Sequence, residues 1–288
     1  MRVLVTGSAG QLGRALIADT PEGIEAIGLP RSELDICDAA SVCRAFGQYE
    51  PDLLINSAAY TAVDRAESEE AQAFQVNAQA VAILAEECAM RGAPLIHFST
   101  DFVFDGSQGR PYAPEDRTAP LNAYGRSKLA GEAAALAHPR NLVIRTSWVY
   151  GNEGHNFVRT ILRLLAEKRE LRVVSDQVGT PTHARSLARA TWALAQRGAS
   201  GLVHFTDAGV ASWYDFAIAI QEESMQIGLI RQEIPIIPVG TAEYPTPARR
   251  PAYSVLDKSE CWKLLGQPAR HWRSELRDML ESEKEHHV

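Results

Sequence analysis

The sequence predicts an α/β fold: a doubly wound parallel sheet of the Rossmann type, with a smaller C-terminal substrate-binding domain. Three observations carry this. Arg2-Val3-Leu4-Val5-Thr6 reads as a short buried strand, and the turn Gly7-Ser8-Ala9-Gly10-Gln11-Leu12-Gly13 leads from it into a helical pattern through Leu16 and Ile17. Strand-like runs then alternate with helical stretches as far as Tyr150, the pattern of βαβ units and a parallel sheet. Beyond Gly151 the alternation loosens, with no internal repeat and no low-complexity linker. The boundaries that follow are 1–148 with 179–208 for a dinucleotide-binding domain, and 149–178 with 209–288 for a substrate-binding domain.

Composition narrows the class. The 288 residues suffice for one large domain or one domain with a smaller partner. Hydrophobic residues at 45% and charged residues at 23% are ordinary for a soluble globular protein. The net charge of −7 and the lack of a basic run argue against nucleic acid as the main partner. No apolar run approaches the roughly 20 residues of a membrane span, and Met1-Arg2-Val3-Leu4-Val5 enters the glycine turn without a signal-peptide pattern. Cys37, Cys43, Cys88 and Cys261 have neither metal nor redox spacing and read as reduced thiols. A cytoplasmic enzyme or a cytoplasmic binding protein is expected.

The glycine turn is the first chemical signal. Glycines let a backbone approach phosphates, and the following helix N-terminus favours the anion. The spacing is G-x-x-G-x-x-G rather than G-x-G-x-x-G, and the alternative is a tight strand–helix connection with no ligand. A second strand, Glu25 to Leu29, ends at Pro30-Arg31 with no acid before Glu33. An acid there would grip the ribose 2′-hydroxyl of NAD, whereas arginine tolerates the 2′-phosphate of NADP. Arg31 therefore favours NADP(H), against a plain solvated loop charge. Asp35 and Ile36 are placed to border the adenine.

The strand from Asp52 exits through Asn56-Ser57-Ala58-Ala59-Tyr60, where small residues let a flat cofactor lie close. A helix is read from about Glu67 to Arg91, with Asn77 inside it either exposed or binding water near a site. The strand Pro94 to Phe98 runs into Ser99-Thr100-Asp101, hydroxyls where a doubly wound sheet binds its ligand. The strand Asn141 to Arg145 leads to Trp148, a core residue or a flat wall against a ring.

Between them stands Pro120-Leu121-Asn122-Ala123-Tyr124-Gly125-Arg126-Ser127-Lys128. Asn122 is a fair N-cap, and Tyr124 and Lys128, four apart, share one helix face. An ammonium beside a phenol favours the phenolate and is expected to draw the tyrosine pKa below about 10. The alternative is an amphipathic helix with a half-buried Tyr and a solvated Lys.

The later segments are a helix (Asn156 to Glu167), a strand (Leu171 to Ser175), a helix (Thr182 to Arg197) and a strand (Leu202 to Thr206) that rejoins the sheet. A helix after Trp213, a strand (Ile234 to Val239), the stiff run Tyr244 to Pro251 and two terminal helices complete the chain. Asn156, Gln177 to Thr182 and Arg249-Arg250 have the chemistry to cover a substrate, and an arginine suits a diphosphate because its planar fork binds two oxygens.

Taken together, these segments resemble the dTDP-4-dehydrorhamnose reductase family of extended short-chain dehydrogenases/reductases, over nearly the whole chain. The resemblance rests on the glycine turn, Ala58 to Asp64 with Ala66-Glu67, Ser99-Thr100-Asp101, Pro120 to Lys128, Arg145 to Tyr150, Asp176-Gln177 with Gly179 and Pro181-Thr182, and Tyr244 to Pro251. It implies an NADPH-dependent reductase, NADH being an open second cofactor, that acts on a 4-keto nucleotide sugar. Tyr124 would be the general acid, Lys128 its partner and the holder of the nicotinamide ribose, and Thr100 a hydrogen-bonding group near the C4 oxygen. Gly10, Gln11 and Leu12 would line the pyrophosphate, Asp35 and Ile36 the adenine side, and Ala59, Tyr60 and Thr61 the cofactor's middle. Trp148 would pack against the deoxyhexose; Asp101, Asn156 and Arg250 join it as substrate residues. Two departures matter: Phe102 stands where many members carry tyrosine, and Ala15 where some carry a magnesium-binding glutamate, so no metal is expected. A homodimer stays open. The rivals are a sugar-nucleotide dehydratase or epimerase, the former disfavoured because Asp101-Phe102 lacks a second carboxylate, and a non-catalytic cofactor-binding subunit similar to that of methionine adenosyltransferase.

Overall fold

The computed structural model describes residues 1–286. β1 (Arg2–Thr6), α1 (Gln11–Ala18) and β2 (Glu25–Leu29) form as read from the sequence. No element is read between Ile36 and Asp52, yet the chain forms α2 (Ala39–Tyr49), capped by the Asp38 carboxylate accepting from Ala40 N at 3.0 Å. β3 (Leu53–Asn56) follows.

The single helix expected from Glu67 to Arg91 is instead segmented. α3 (Val63–Ala66) and α4 (Glu70–Phe74) precede a π-helical stretch, Gln75–Gln79, that runs into α5 (Ala80–Arg91). Such bulges displace backbone groups from the regular ladder and cluster at functional sites. Asn77, in the bulge, is not exposed: it is 1% exposed and clamped by protein partners.

β4 (Leu95–Thr100), α6 (Ala123–Leu136) and β5 (Leu142–Thr146) complete the regular part. Beyond them lie β6 (Val149–Tyr150), α7 (Phe157–Glu167), β7 (Leu171–Val174), β8 (Val178–Gly179), β9 (Thr182–His183), α8 (Ala184–Gln196) and β10 (Gly201–His204). The chain ends with β11 (Ala211–Ser212), α9 (Trp213–Gln226), β12 (Ile236–Val239), α10 (Ser259–Leu265) and α11 (Trp272–His286).

The main sheet has six strands in the order β2-β1-β3-β4-β5-β10, all parallel. Alternation along the strands sorts their side chains onto two faces. Val3, Val5, Leu53, Ile55, Leu142 and Ile144 pack with α1 and α8, while Leu4, Leu54 and Val143 pack with α2 and α5. Trp192 Nε1 of α8 donates to Leu16 O at 3.0 Å, fastening α8 beside α1. A third cluster joins α7, β7, α9, β12 and α11 through Ile161, Leu171, Phe216, Ile236 and Leu276. Strand order reverses between β1 and β3, so the loops leaving these strands diverge and open a crevice. Among the described residues no helix is long and apolar enough to cross a membrane.

Candidate active site

Two clefts run along the carboxyl ends of the strands at this reversal. One, of about 280 Å³, is lined by Gly7, Gly10, Arg31, Asp35, Ile36, Ala59 and Tyr60. The other, of about 260 Å³, is lined by Gly10, Gln11, Leu12, Ala59, Thr61, Tyr124 and Lys128. They share Gly10, Ser57, Ala58 and Ala59 and so form one trough. The glycine turn is shaped by contact. Gly7 has φ +63°, and a Cβ on it would lie 2.7 Å from the Ala58 backbone; a Cβ on Gly13 would lie 2.4 Å from Gly7 O. Gly13 therefore sits beneath the turn and lines neither cleft, while Gly7 lets the loop after β3 close against it.

Arg31 is exposed at the outer end, in the same cleft as Asp35, whose Oδ1 accepts from Cys37 N at 3.0 Å. The middle is rigid. Asn77 accepts from Tyr60 N at 2.9 Å and donates to Tyr60 O at 3.0 Å and to Ser127 Oγ at 3.0 Å. The π-helical stretch thus ties the floor of the trough to α6. The Tyr60 hydroxyl donates to Glu69 at 2.7 Å.

α6 starts where its sequence says it should: Asn122 Oδ1 accepts from Gly125 N at 2.8 Å. Its amide donates to Arg249 O at 2.8 Å, and Glu67 accepts from Ala123 N at 2.7 Å. Tyr124 is thereby fixed from both sides, with Phe102 edge-on to its ring at 6.0 Å and 81°. Lys128 is buried, not solvated. Thr100 Oγ1 donates to Asp101 Oδ1 at 3.0 Å, accepts from Phe102 N at 3.1 Å, and stands beside the Tyr124 phenol.

The expected lowering of the Tyr124 pKa is not what this geometry gives. Burial pushes the phenol up to about 12, the Thr100 hydroxyl opposes this, and the Asp101 charge adds to it. Burial also draws Lys128 down to about 8, against the field of Glu132. Desolvation prevails, so Tyr124 is held as a protonated acid. Burial raises Asp101 to about 6, despite the hydrogen bond from Thr100.

A further cavity of about 650 Å³ is walled by α7 and β7 and bordered by Gln177, Trp213, Tyr244 and Arg250. Arg250 is not a free cation: its guanidinium pairs with Asp64 at 2.8 and 3.1 Å. Trp148 does not line this cavity. It stacks on Trp213, with centroids 3.5 Å apart and planes at 7°, on a backbone at φ +46°, where a bulky residue is strained. Trp213 is the indole facing the space. Asn156 caps α7, accepting from Arg159 N at 3.1 Å, and its amide donates to Gln11 Oε1 and Gly151 O, each at 2.8 Å. Its polar atoms are spent on holding α7 to the glycine turn. Trp213 and Asp64 were not singled out for a role in the sequence. Both had a signal: an aromatic directly after a capping Ser212, and an acid inside the motif that begins at Ala58. Among the described residues no group of three or more His, Cys, Asp or Glu could hold a metal ion, and Ala15 is buried in the face shared with α8.

The class defined by this sheet, its trough and the Tyr124–Lys128 helix is the short-chain dehydrogenase/reductase. The chain belongs to the family described as RmlD substrate binding domain, whose model matches residues 1–285. It is 46% identical to the dTDP-4-dehydrorhamnose reductase of Mycobacterium tuberculosis, over 97% of this chain and 92% of that one. The solved dTDP-4-dehydrorhamnose reductase of Clostridium acetobutylicum is 36% identical, with a TM-score of 0.93 over 99% of this chain and 100% of that one. That of Bacillus anthracis, solved in complex with NADP, is 34% identical, with a TM-score of 0.92 over 98% and 99%.

Proposed function

We propose that this chain reduces the C4 ketone of dTDP-4-dehydro-L-rhamnose to dTDP-L-rhamnose, with NADPH preferred over NADH. The observation that carries the reading is a half-buried Tyr124, beside Thr100 and one helical turn from Lys128, on the wall of a trough that begins at the glycine turn. Residues 1–148 with 179–208 would hold the cofactor, and 149–178 with 209–288 the sugar nucleotide.

The trough fits a dinucleotide: its glycine cradle excludes any Cβ at Gly7, and a buried cation lines its inner end. Gly10, Gln11 and Leu12 would face the pyrophosphate, Arg31 a 2′-phosphate, and Lys128 the nicotinamide ribose. When bound, the reduced nicotinamide supplies the hydride. Thr100 and Tyr124 orient the C4 oxygen, and Tyr124 gives its proton to that oxygen as negative charge grows there. Such an acid contributes roughly 10² to 10⁴ in rate. Asp101-Phe102 offers no second carboxylate for dehydration.

The reaction is placed in the cytoplasm, where its nucleotide-sugar substrate and reduced cofactor would be drawn. Tyr124, Lys128, Thr100 and both clefts come from one chain, so a homodimer would pair two complete sites. The test is NADPH oxidation by the purified chain with dTDP-, UDP- and GDP-linked 4-keto-6-deoxyhexoses as the varied substrate. Turnover fastest with the dTDP-linked sugar supports the reading; NADPH binding without turnover of any of them points to a binding subunit instead.

A further inference from the structure

His97 lies on β4 beneath Lys128 and is 1% exposed. Its neighbours settle where its proton sits. The main-chain N–H of Ala58 donates to Asn56 Oδ1 at 3.2 Å, and Thr6 Oγ1 donates to the same oxygen at 2.6 Å. A main-chain N–H can only donate, so the Asn56 amide has one orientation, and the group it turns toward His97 Nδ1, at 3.1 Å, is its NH₂. Nδ1 must then accept. A neutral imidazole so held carries its hydrogen at Nε2, and Nε2 faces Lys128 Nζ at 3.5 Å. That contact suits an uncharged amine, which can accept from the ring N–H. It opposes an ammonium, which presents only hydrogens.

We propose that His97 is a positioning residue: locked as its Nε2–H tautomer by Asn56, it disfavours the charged form of Lys128 and so sets the pH above which this lysine stops holding the cofactor. The inference rests on the reading of Lys128 as the cation that holds the nicotinamide ribose. The other groups around the lysine do not reproduce the effect. Glu132, one turn further along α6, favours the ammonium, but its carboxylate is bound by Arg145 at 2.7 and 2.8 Å and by Ser99. Tyr124, one turn back, is protonated, and the π-helical stretch contributes only the neutral Asn77 amide, bound to Ser127. Burial and then the lysine's charge hold the imidazole pKa well below its usual value, which agrees with a ring that has no place for a second proton. The chain is not a proton wire, because it ends in the Asn56 carboxamide, which does not release a proton.

Two measurements test this on the full chain. The first is the long-range ¹H–¹⁵N spectrum of the histidine rings, with His97 assigned by the signals lost in a His97 variant. The expected result is a bare Nδ1 and a protonated Nε2, unchanged across the neutral range. An imidazolium, or hydrogen at Nδ1, would overturn the proposal. The second is the pH profile of kcat/KM for NADPH, which reports groups of the free enzyme. His97→Leu keeps the site dry and removes the N–H, so its alkaline limb should move up by about half a pH unit or more. His97→Gln, which can still present an N–H to Lys128, should stay near wild type. An unmoved limb in a folded His97→Leu variant refutes the proposal, and if that variant does not fold the wild-type spectrum decides. Absence of wild-type turnover would count against the reductase reading while leaving the spectrum free to judge the tautomer.

Discussion

Replacing Arg250 with alanine probes the join between the large cavity and the catalytic helix. The guanidinium has five N–H bonds. Nη1 is occupied by Asp64 Oδ1 at 3.1 Å, Thr246 Oγ1 at 2.5 Å and Ala248 O at 3.3 Å, and Nη2 reaches Asp64 Oδ2 at 2.8 Å. Nε–H and the second Nη2–H remain, side by side, on a residue that lines the cavity. They form the edge that binds two phosphate oxygens at once. Two charge-assisted bonds would be worth more than one, but the side chain is 22% exposed and keeps Asp64 as a countercharge. The net effect is therefore set at the worth of about one such bond, 1.5–3 kcal/mol, or roughly ten- to hundredfold in KM for the sugar nucleotide. Asp64→Asn removes the countercharge and should leave KM unchanged or lower it by about twofold, since the arginine's field on the diphosphate is then unopposed. Each ligand should be titrated separately by calorimetry, with steady-state kinetics alongside. Unchanged sugar-nucleotide affinity in Arg250→Ala, or a parallel loss of NADPH affinity, would refute the diphosphate assignment and leave Arg250 as a strut between α3 and the 244–251 loop.

Tyr124→Phe removes one oxygen and should lower kcat by about 10² or more, with NADPH affinity and melting temperature near wild type; near-normal turnover would exclude Tyr124 as the acid. The wild type should favour NADPH over NADH by about tenfold in kcat/KM, roughly 1.4 kcal/mol, and Arg31→Ala should erode this without harming NADH use; equal values in the wild type would contradict the 2′-phosphate argument. Asp101, raised by burial to about 6, binds its proton more tightly folded than unfolded, so its contribution to stability is present below about pH 4 and is lost as pH rises through about 6. Asp101→Asn should therefore stabilise the fold at neutral pH, by on the order of 2–3 kcal/mol, and not at pH 4; equal shifts in melting temperature at both pH values would count against a charged, buried Asp101.

What was legible in the sequence was what short-range chemistry decides. β1 and β2 form as read because an apolar run bounded by a turn has one way to bury itself, and α6 begins at Asn122 because its cap acts three residues away. α2 was equally local: Asp38 caps it, and Val42, Ala45 and Phe46 share its buried face, but Gly47 and the short span weaken the pattern. The π-helical stretch was not legible. Asn77 reads as an ordinary polar helix residue until Tyr60 and Ser127, both far along the chain, are brought to it.

The site shows the same division more sharply. Tyr124 and Lys128 were found from a spacing of four, yet the spacing misjudged their electrostatics. Adjacency along a helix says that two groups meet; it says nothing of how much water each has lost. Here Lys128 is buried and Tyr124 half-buried, and desolvation acts on them in opposite directions, raising the phenol and lowering the amine. The first of these shifts keeps the phenol protonated, which is the state a reductase needs when the ketone oxygen takes up charge. Arg250 and Trp148 carry the same lesson. Each was chosen for its own chemistry, but Asp64 directs which edge of the guanidinium stays free, and Trp213 stacks on the Trp148 indole. A motif therefore names the reacting groups, whereas their protonation state and the edge they offer a ligand are fixed by partners that only the folded chain brings into contact.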